Sequence, residues 1–255
     1  MNPEELLAIA RGLVEQGARH GVTLRILGHL AVREHVHTHR DLIELMQRIP
    51  THDIDFMGYS SQHKQADQLF IKTLGYKPDP AVAFSQEYGI KRLIYHHENG
   101  VMAEIFMDEL RMAHTLDFRG RLELDSPTIS LVDLLLSKLQ IQQLTEKDIK
   151  DMIVLLAEHD LGPGDREKID FGYLLKLIRE DWGLYYTVHT NLGKVRQFLV
   201  SYAVLGEEVV VRVGARLDEL LRRMEDEPKS LRWKARARIG TRLKWYEEVE
   251  NVHRG

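Results

Sequence analysis

Near Ser130 the chain changes its hydrophobic period, and that change limits the possible folds more than any single motif. Before it, short alternating segments are interleaved with helical ones. After it, almost every segment carries apolar residues at helical spacing. Residues 4–19 place Leu6, Leu7, Ile9, Ala10, Leu13 and Val14 on one helical face, and Gly21 ends the run. Thr23–Leu27 reads as a short strand closed by Gly28, and a helix starts at His29 and runs to about Glu34. A short helix is expected over Asp41–Gln47, stopped by Pro50, and a half-buried strand over His52–Met57. Residues 61–74 form a further helix, and Pro78 and Pro80 mark a loop. Two strand patterns, Lys91–His97 and Val101–Met107, are joined by Glu98-Asn99-Gly100, a hairpin signal. Arg121–Leu124 is another strand candidate.

Beyond Ser130 the pattern predicts a leucine-rich helix over Leu131–Leu144 and a second over Glu146–Glu158, with Thr145 as its N-cap. Gly162-Pro163-Gly164 interrupts the chain, and helical patterning continues to the C-terminus with a late break at Pro228. The expected architecture is therefore α+β, a mixed domain over residues 1–128 and a helical domain over residues 129–255.

Composition narrows what such a chain can do. With 44% hydrophobic and 29% charged residues it can bury an ordinary globular core. A net charge of −4 means that any contact with nucleic acid must come from a local basic patch. The absence of cysteine excludes disulfides, thiolate zinc sites and a thiol nucleophile. No apolar run approaches the roughly 18 residues of a membrane span. The acidic N-terminus Met1-Asn2-Pro3-Glu4-Glu5 lacks the order of a signal peptide, so a cytoplasmic location without membrane contact is expected.

Chemistry is concentrated in Thr51-His52-Asp53-Ile54-Asp55-Phe56. On a strand, positions i and i+2 share a face, so Asp53 and Asp55 project together while Ile54 and Phe56 enter the core. Two carboxylates on one face repel each other unless a hard divalent cation lies between them. Two Mg²⁺ ions roughly 4 Å apart could clamp the oxygens of a phosphoryl transfer. Upstream, Leu27-Gly28-His29-Leu30-Ala31-Val32-Arg33 combines a strand end, a glycine turn and a helix start, where backbone N–H groups can meet a phosphate. Downstream, Ala103-Glu104-Ile105-Phe106-Met107-Asp108 brings a third acid, Glu104 or Asp108, on a neighbouring strand.

This order of glycine turn, helix, Asp-x-Asp strand and third acidic strand resembles the nucleotidyltransferase superfamily. Within it, the chain looks most similar to the AbiEii-type and MenT-type toxin nucleotidyltransferases, which carry a glycine turn, an Ala-x-Arg helix and an Asp-x-Asp strand. Here these are Gly28-His29, Ala31-Val32-Arg33 and Asp53-Ile54-Asp55. The second turn position holds His29, where the family has Gly or Ser. The family's later lysine and aspartate helices correspond to Leu136-Ser137-Lys138-Leu139-Gln140 and Lys147-Asp148-Ile149-Lys150-Asp151. The resemblance covers residues 20–160. It implies a nucleotidyltransferase-fold mixed sheet with flanking helices, and transfer of a nucleoside monophosphate from an NTP to a hydroxyl, with pyrophosphate leaving. Asp53, Asp55 and Glu104 would be catalytic and hold Mg²⁺. Gly28, His29, Arg33, Lys138, Asp148 and Asp151 would bind nucleotide. RNA, particularly a tRNA end, would be the favoured acceptor, with a protein side chain as the alternative, and a cognate antitoxin a possible partner. The alternative is an inactive module of the same fold that binds nucleotide or RNA.

Several features admit two readings. Asp148 stands three residues after Thr145, where it could close a capping box instead of serving nucleotide. Lys138 lies in an apolar helix, where a buried cation needs a partner. His35, His37 and His39 alternate, and His96 and His97 adjoin, but no set of four metal ligands is visible. In the C-terminal run Lys229–Tyr246, Arg232, Lys234, Arg236, Arg238 and Arg242 could hold RNA phosphates while Trp233, Trp245 and Tyr246 stack on bases. Those aromatic residues could equally be core. Asp181–Tyr186 is aromatic helix packing without chemistry.

Overall fold

The computed structural model describes residues 1–49, 51–80, 92–163, 166–202 and 204–248. Pro50, Lys91, Gly164 and the last residues of the expected C-terminal helix lie outside these. The fold is α+β and contains a mixed five-stranded sheet. The described chain divides into two compact units. Unit 1 comprises Met1–His35, Ile49–Leu110 and Leu116–Ser130; unit 2 comprises Val36–Arg48, Arg111–Thr115 and the chain from Leu131 onward.

Unit 1 begins with α1 (Pro3–Arg19), whose start is a capping box: the Glu5 amide donates to Asn2 Oδ1 at 2.8 Å and the Asn2 amide to Glu5 Oε2 at 2.9 Å. Its buried residues include Leu6, Leu7, Ala10, Leu13 and Val14 of the face that the periodicity marks, while Ile9 at its margin is half-buried. Then follow β1 (Arg25–Ile26), α2 (Gly28–His35), β2 (Asp53–Gly58), β3 (Lys77–Pro78), β4 (Arg92–His96) and β5 (Met102–Met107). The sheet order is β1-β2-β5-β4-β3. The central pair β2 and β5 is parallel; the other neighbours are antiparallel. One sheet face is closed by Ile54, Phe56, Leu93, Tyr95, Ala103 and Ile105, all buried. Phe70 stacks on Tyr95 at 4.5 Å over this face, and the Tyr95 hydroxyl donates to Asp67 Oδ1 at 2.7 Å, so its polar tip is satisfied inside the core.

Three expectations for unit 1 are corrected. The segment over 61–74 is not one α-helix but a 3₁₀ turn (Ser60–Gln62), an α turn (His63–Asp67) and a π turn (Gln68–Thr73). Pro78 belongs to β3 rather than a loop. It sits at the sheet edge, where a missing N–H costs nothing. Arg121–Leu124 is a turn, closed by the Leu124 amide on the Arg121 carbonyl at 3.2 Å. A two-stranded ribbon, β6 (Glu109–Arg111) and β7 (Thr115–Asp117), lies upstream instead. Each of its strands has one buried apolar residue, Leu110 and Leu116, too few to show a period.

Unit 2 contains α3 (Asp41–Leu45), α5 (Leu131–Leu139), α6 (Glu146–Glu158), α7 (Phe171–Ile178), α8 (Trp182–Ser201), α9 (Glu207–Asp226) and α10 (Leu231–Ile239); α4 is the His63–Asp67 turn of unit 1. The expected helix to Leu144 stops at Leu139 because Asn191 of α8 donates its amide to the carbonyls of Leu139 and Ile141, at 2.9 and 2.7 Å. A side chain distant in sequence thus replaces the next helical turn as partner of those carbonyls. Asp181 caps α8 through the Leu184 amide at 3.0 Å, and Trp182 stacks on Tyr186 at 5.2 Å, as packing requires. No helix of the described residues is long and apolar enough to cross a membrane.

Candidate active site

The alternation of β2 puts Asp53, Asp55 and Met57 on the face opposite Ile54 and Phe56. The parallel register sets Asp53 beside Met102 and Asp55 beside Glu104. Neighbouring strands run about 4.8 Å apart, so Asp55 and Glu104 start from adjacent backbone positions on one face. Asp53 is buried, Asp55 half-buried and Glu104 only 3% exposed. Three acids so placed need compensation. Arg92, on the same face of β4, supplies part of it: its Nη1 is 2.9 Å from Glu104 Oε1. The Thr51 hydroxyl donates to Asp53 Oδ1.

The glycine turn belongs to this site. The Leu27 amide donates to the Asp55 carbonyl at 2.9 Å, which fixes the end of β1 to the middle of β2. Gly28 has φ of +72°, in the left-handed region, and a Cβ there would stand 3.0 Å from Asp55 Oδ2. A side chain is thus disfavoured twice, by backbone and by the carboxylate. His29 and Arg33 follow on α2 and are both buried; Arg33 Nη2 is held by Glu4 Oε1 of α1 at 2.7 Å.

Of the two candidate third acids, Asp108 lies beyond β5. Its backbone turns to φ of +61°, its amide bonds the Gly58 carbonyl, and its carboxylate takes the amide and hydroxyl of Ser60. Glu104 is the acid in register with the aspartate strand. His52 is exposed at the strand entrance. Sequence reasoning missed Arg92. Its signal lay in the Asn99-Gly100 hairpin, whose tight turn sets His96 opposite Met102 and so Ile94 opposite Glu104. Arg92, two residues before Ile94, then shares Glu104's face.

The donors are hard carboxylate oxygens, the type Mg²⁺ prefers. Among the described residues no three His, Asp or Glu side chains form a ready cage for an ion. Mg²⁺ ordinarily takes one or two carboxylates and completes its shell with substrate phosphate and water. Asp53 and Asp55, sharing a face two residues apart, suit that mode, and Glu104 stands alongside in register with its carboxylate directed to Arg92.

Within unit 2, Lys138 of α5 finds the partners its burial demands. Its Nζ lies 3.2 Å from Asp148 Oδ1 and 3.0 Å from Asp151 Oδ2 on α6. Asp151, 1% exposed, also takes a two-point contact from Arg48 at 2.9 and 3.1 Å. Burial opposes the Lys138 charge, but Asp151 and then Asp148 outweigh it and raise the ammonium above the usual lysine range. Two cations, Lys138 and Arg48, balance two anions, Asp148 and Asp151. Asp148 additionally closes the Thr145 capping box. The arrangement pins α5 to α6 and to the Arg48 segment. A second pin is Glu158, which accepts the amides of His37, Thr38 and His39 and lies 3.0 Å from the His39 ring. His35 of unit 1 bonds the Thr128 hydroxyl at 2.6 Å.

In the C-terminal run, Ser230 caps α10 through the Trp233 amide. The two tryptophans turn toward α8. Trp233 meets Tyr185 edge-on at 5.2 Å, and Trp245 meets Tyr186 at 5.0 Å while its Nε1 donates to Thr187. Tyr246 packs on Trp245 at 5.2 Å. Arg236 also faces inward: its guanidinium stacks 4.6 Å over Trp182 and donates to the carbonyls of Gly240 and Leu243. Arg232, Lys234, Arg238 and Arg242 are exposed. Comparison with known protein families, characterised proteins and solved structures finds no match to this chain.

Proposed function

We propose that unit 1 is a nucleotidyltransferase-fold module that transfers a nucleoside monophosphate from an NTP to a hydroxyl acceptor with Mg²⁺. The observation that carries this reading is the convergence on one sheet face of Asp53, Asp55 and Glu104, with the left-handed Gly28 turn pressed against the Asp55 carboxylate. Asp53 and Asp55 would hold the ion, which when bound supplies positive charge to the triphosphate. The Gly28 turn lies against Asp55, and its backbone and the first amides of α2 would offer N–H groups to a phosphate. Glu104 would orient the acceptor hydroxyl and take its proton, with Arg92 fixing the direction of the carboxylate. The resemblance of the motifs favours an RNA end as acceptor.

The test is incubation of the full chain with labelled NTPs, Mg²⁺ and total tRNA, beside an Asp53→Ala variant. Transfer that disappears in the variant supports the site; transfer that persists removes it. One observation favours a second reading, a nucleotide-binding module without turnover: Glu104 is already engaged by Arg92. NTP binding with no transfer to any acceptor would establish that reading instead.

A further inference from the structure

We infer that the outer face of α10 is a docking surface for an acidic, amphipathic helix of a partner protein. In α10, Leu231, Ala235 and Ile239 are four residues apart and form one row on the helix surface. All three are exposed, Leu231 by 85% and Ile239 by 45%, and Leu243 just beyond the helix is 56% exposed. Lys234 and Arg238 form a parallel row on one side of them, and Arg232 lies on the other. None of these three cations, nor Arg242, makes an ion pair with a described residue. The opposite face of α10 is already used, because Trp233 and Arg236 pack on Tyr185 and Trp182 of α8.

Three alternatives fit this surface less well. Base stacking needs free aromatic faces on this helix, and Trp233 and Trp245 are turned against Tyr185 and Tyr186 of α8, while Tyr246 lies on Trp245 beyond α10. A lipid interface is normally anchored by exposed Trp or Phe beside the basic residues, and this face presents neither. A second copy of the same face would set its cations against themselves. A single i,i+4 apolar row is what one helix inserts into the groove of another. Cations on both flanks select a helix whose own apolar row is bordered by Glu or Asp. This surface does not depend on the activity proposed for unit 1.

The experiment uses the full chain and a stapled helical peptide with one Leu/Ala row flanked by glutamates, read by fluorescence anisotropy. The peptide is expected to bind, and Ile239→Glu to weaken it by about tenfold or more, because a charge then enters the apolar row. The double variant Lys234→Glu/Arg238→Glu should weaken it comparably at low salt and recover binding to a lysine-flanked version of the peptide. Circular dichroism should show both variants as helical as the parent, since every altered position is exposed. Failure of the peptide to bind overturns the inference, as does binding indifferent to Ile239→Glu. An RNA hairpin, phosphatidylserine vesicles or self-association that outcompetes the peptide and depends on the same residues also overturns it, and reassigns the face accordingly.

Discussion

Replacing Gly28 by alanine separates the geometry of the candidate site from the stability of the fold. At φ of +72° an alanine pays roughly 1–2 kcal/mol for the left-handed conformation. Its Cβ would also stand 3.0 Å from Asp55 Oδ2, closer than ordinary contact. The backbone of Asp55 cannot retreat easily, because it is held by the Leu27 amide at 2.9 Å and by its register with Glu104. The carboxylate must rotate, which costs about 0.5–1.5 kcal/mol for an off-rotamer side chain. The total, about 1.5–3.5 kcal/mol, leaves a domain of ordinary stability folded. On the proposed role of Asp55 as an ion ligand, misplacing its carboxylate is nevertheless expected to lower transfer, by about 100-fold for a shift approaching about 1 Å. Gly21 supplies the control. It has φ of +70°, but a Cβ there has nothing within 4 Å. Gly21→Ala should therefore lose the backbone component alone and keep full activity. Urea midpoints and labelled-NTP transfer, measured on both variants, check the argument. If Gly28→Ala transfers within about twofold of Gly21→Ala, the reasoning that joins the glycine turn to Asp55 is refuted.

Two further outcomes concern the pins of unit 2. Asp151→Ala removes the acceptor shared by the largely covered side chains of Arg48 and Lys138, and should cost about 3–5 kcal/mol in urea unfolding; a loss under about 1 kcal/mol would show that the quartet is dispensable. At Glu158 burial opposes the charge, but the amides of Thr38 and His39, with the His39 ring and the His37 amide, outweigh it and bring the carboxyl from 4.5 to about 2. The folded value is depressed, so this contact stabilises fully above about pH 4.5 and loses its contribution as pH falls toward 2. The stability gap between the parent and Glu158→Gln should shrink over that window, and a gap that stays constant would mean that the charge of Glu158 is not what the loop amides recognise.

Local chemistry alone determined much of this molecule. The Asn2 and Thr145 caps, the buried face of α1, the side-by-side projection of Asp53 and Asp55 and the need of Lys138 for anionic partners all depend on residues within a few positions or on burial of one side chain. Periodicity within one segment suffices for these, so they could be read before any coordinates. Pairing between segments could not. Register decided that Glu104 rather than Asp108 lies beside Asp55, and that Arg92 reaches Glu104. Asn191, about fifty residues away, decided where α5 ends. Packing on α8 decided that the C-terminal tryptophans turn inward and leave an apolar row outside. Each of these outcomes depends on which of several compatible surfaces meet. The free energy of that choice belongs to contacts between distant segments, and no window of neighbouring residues contains it.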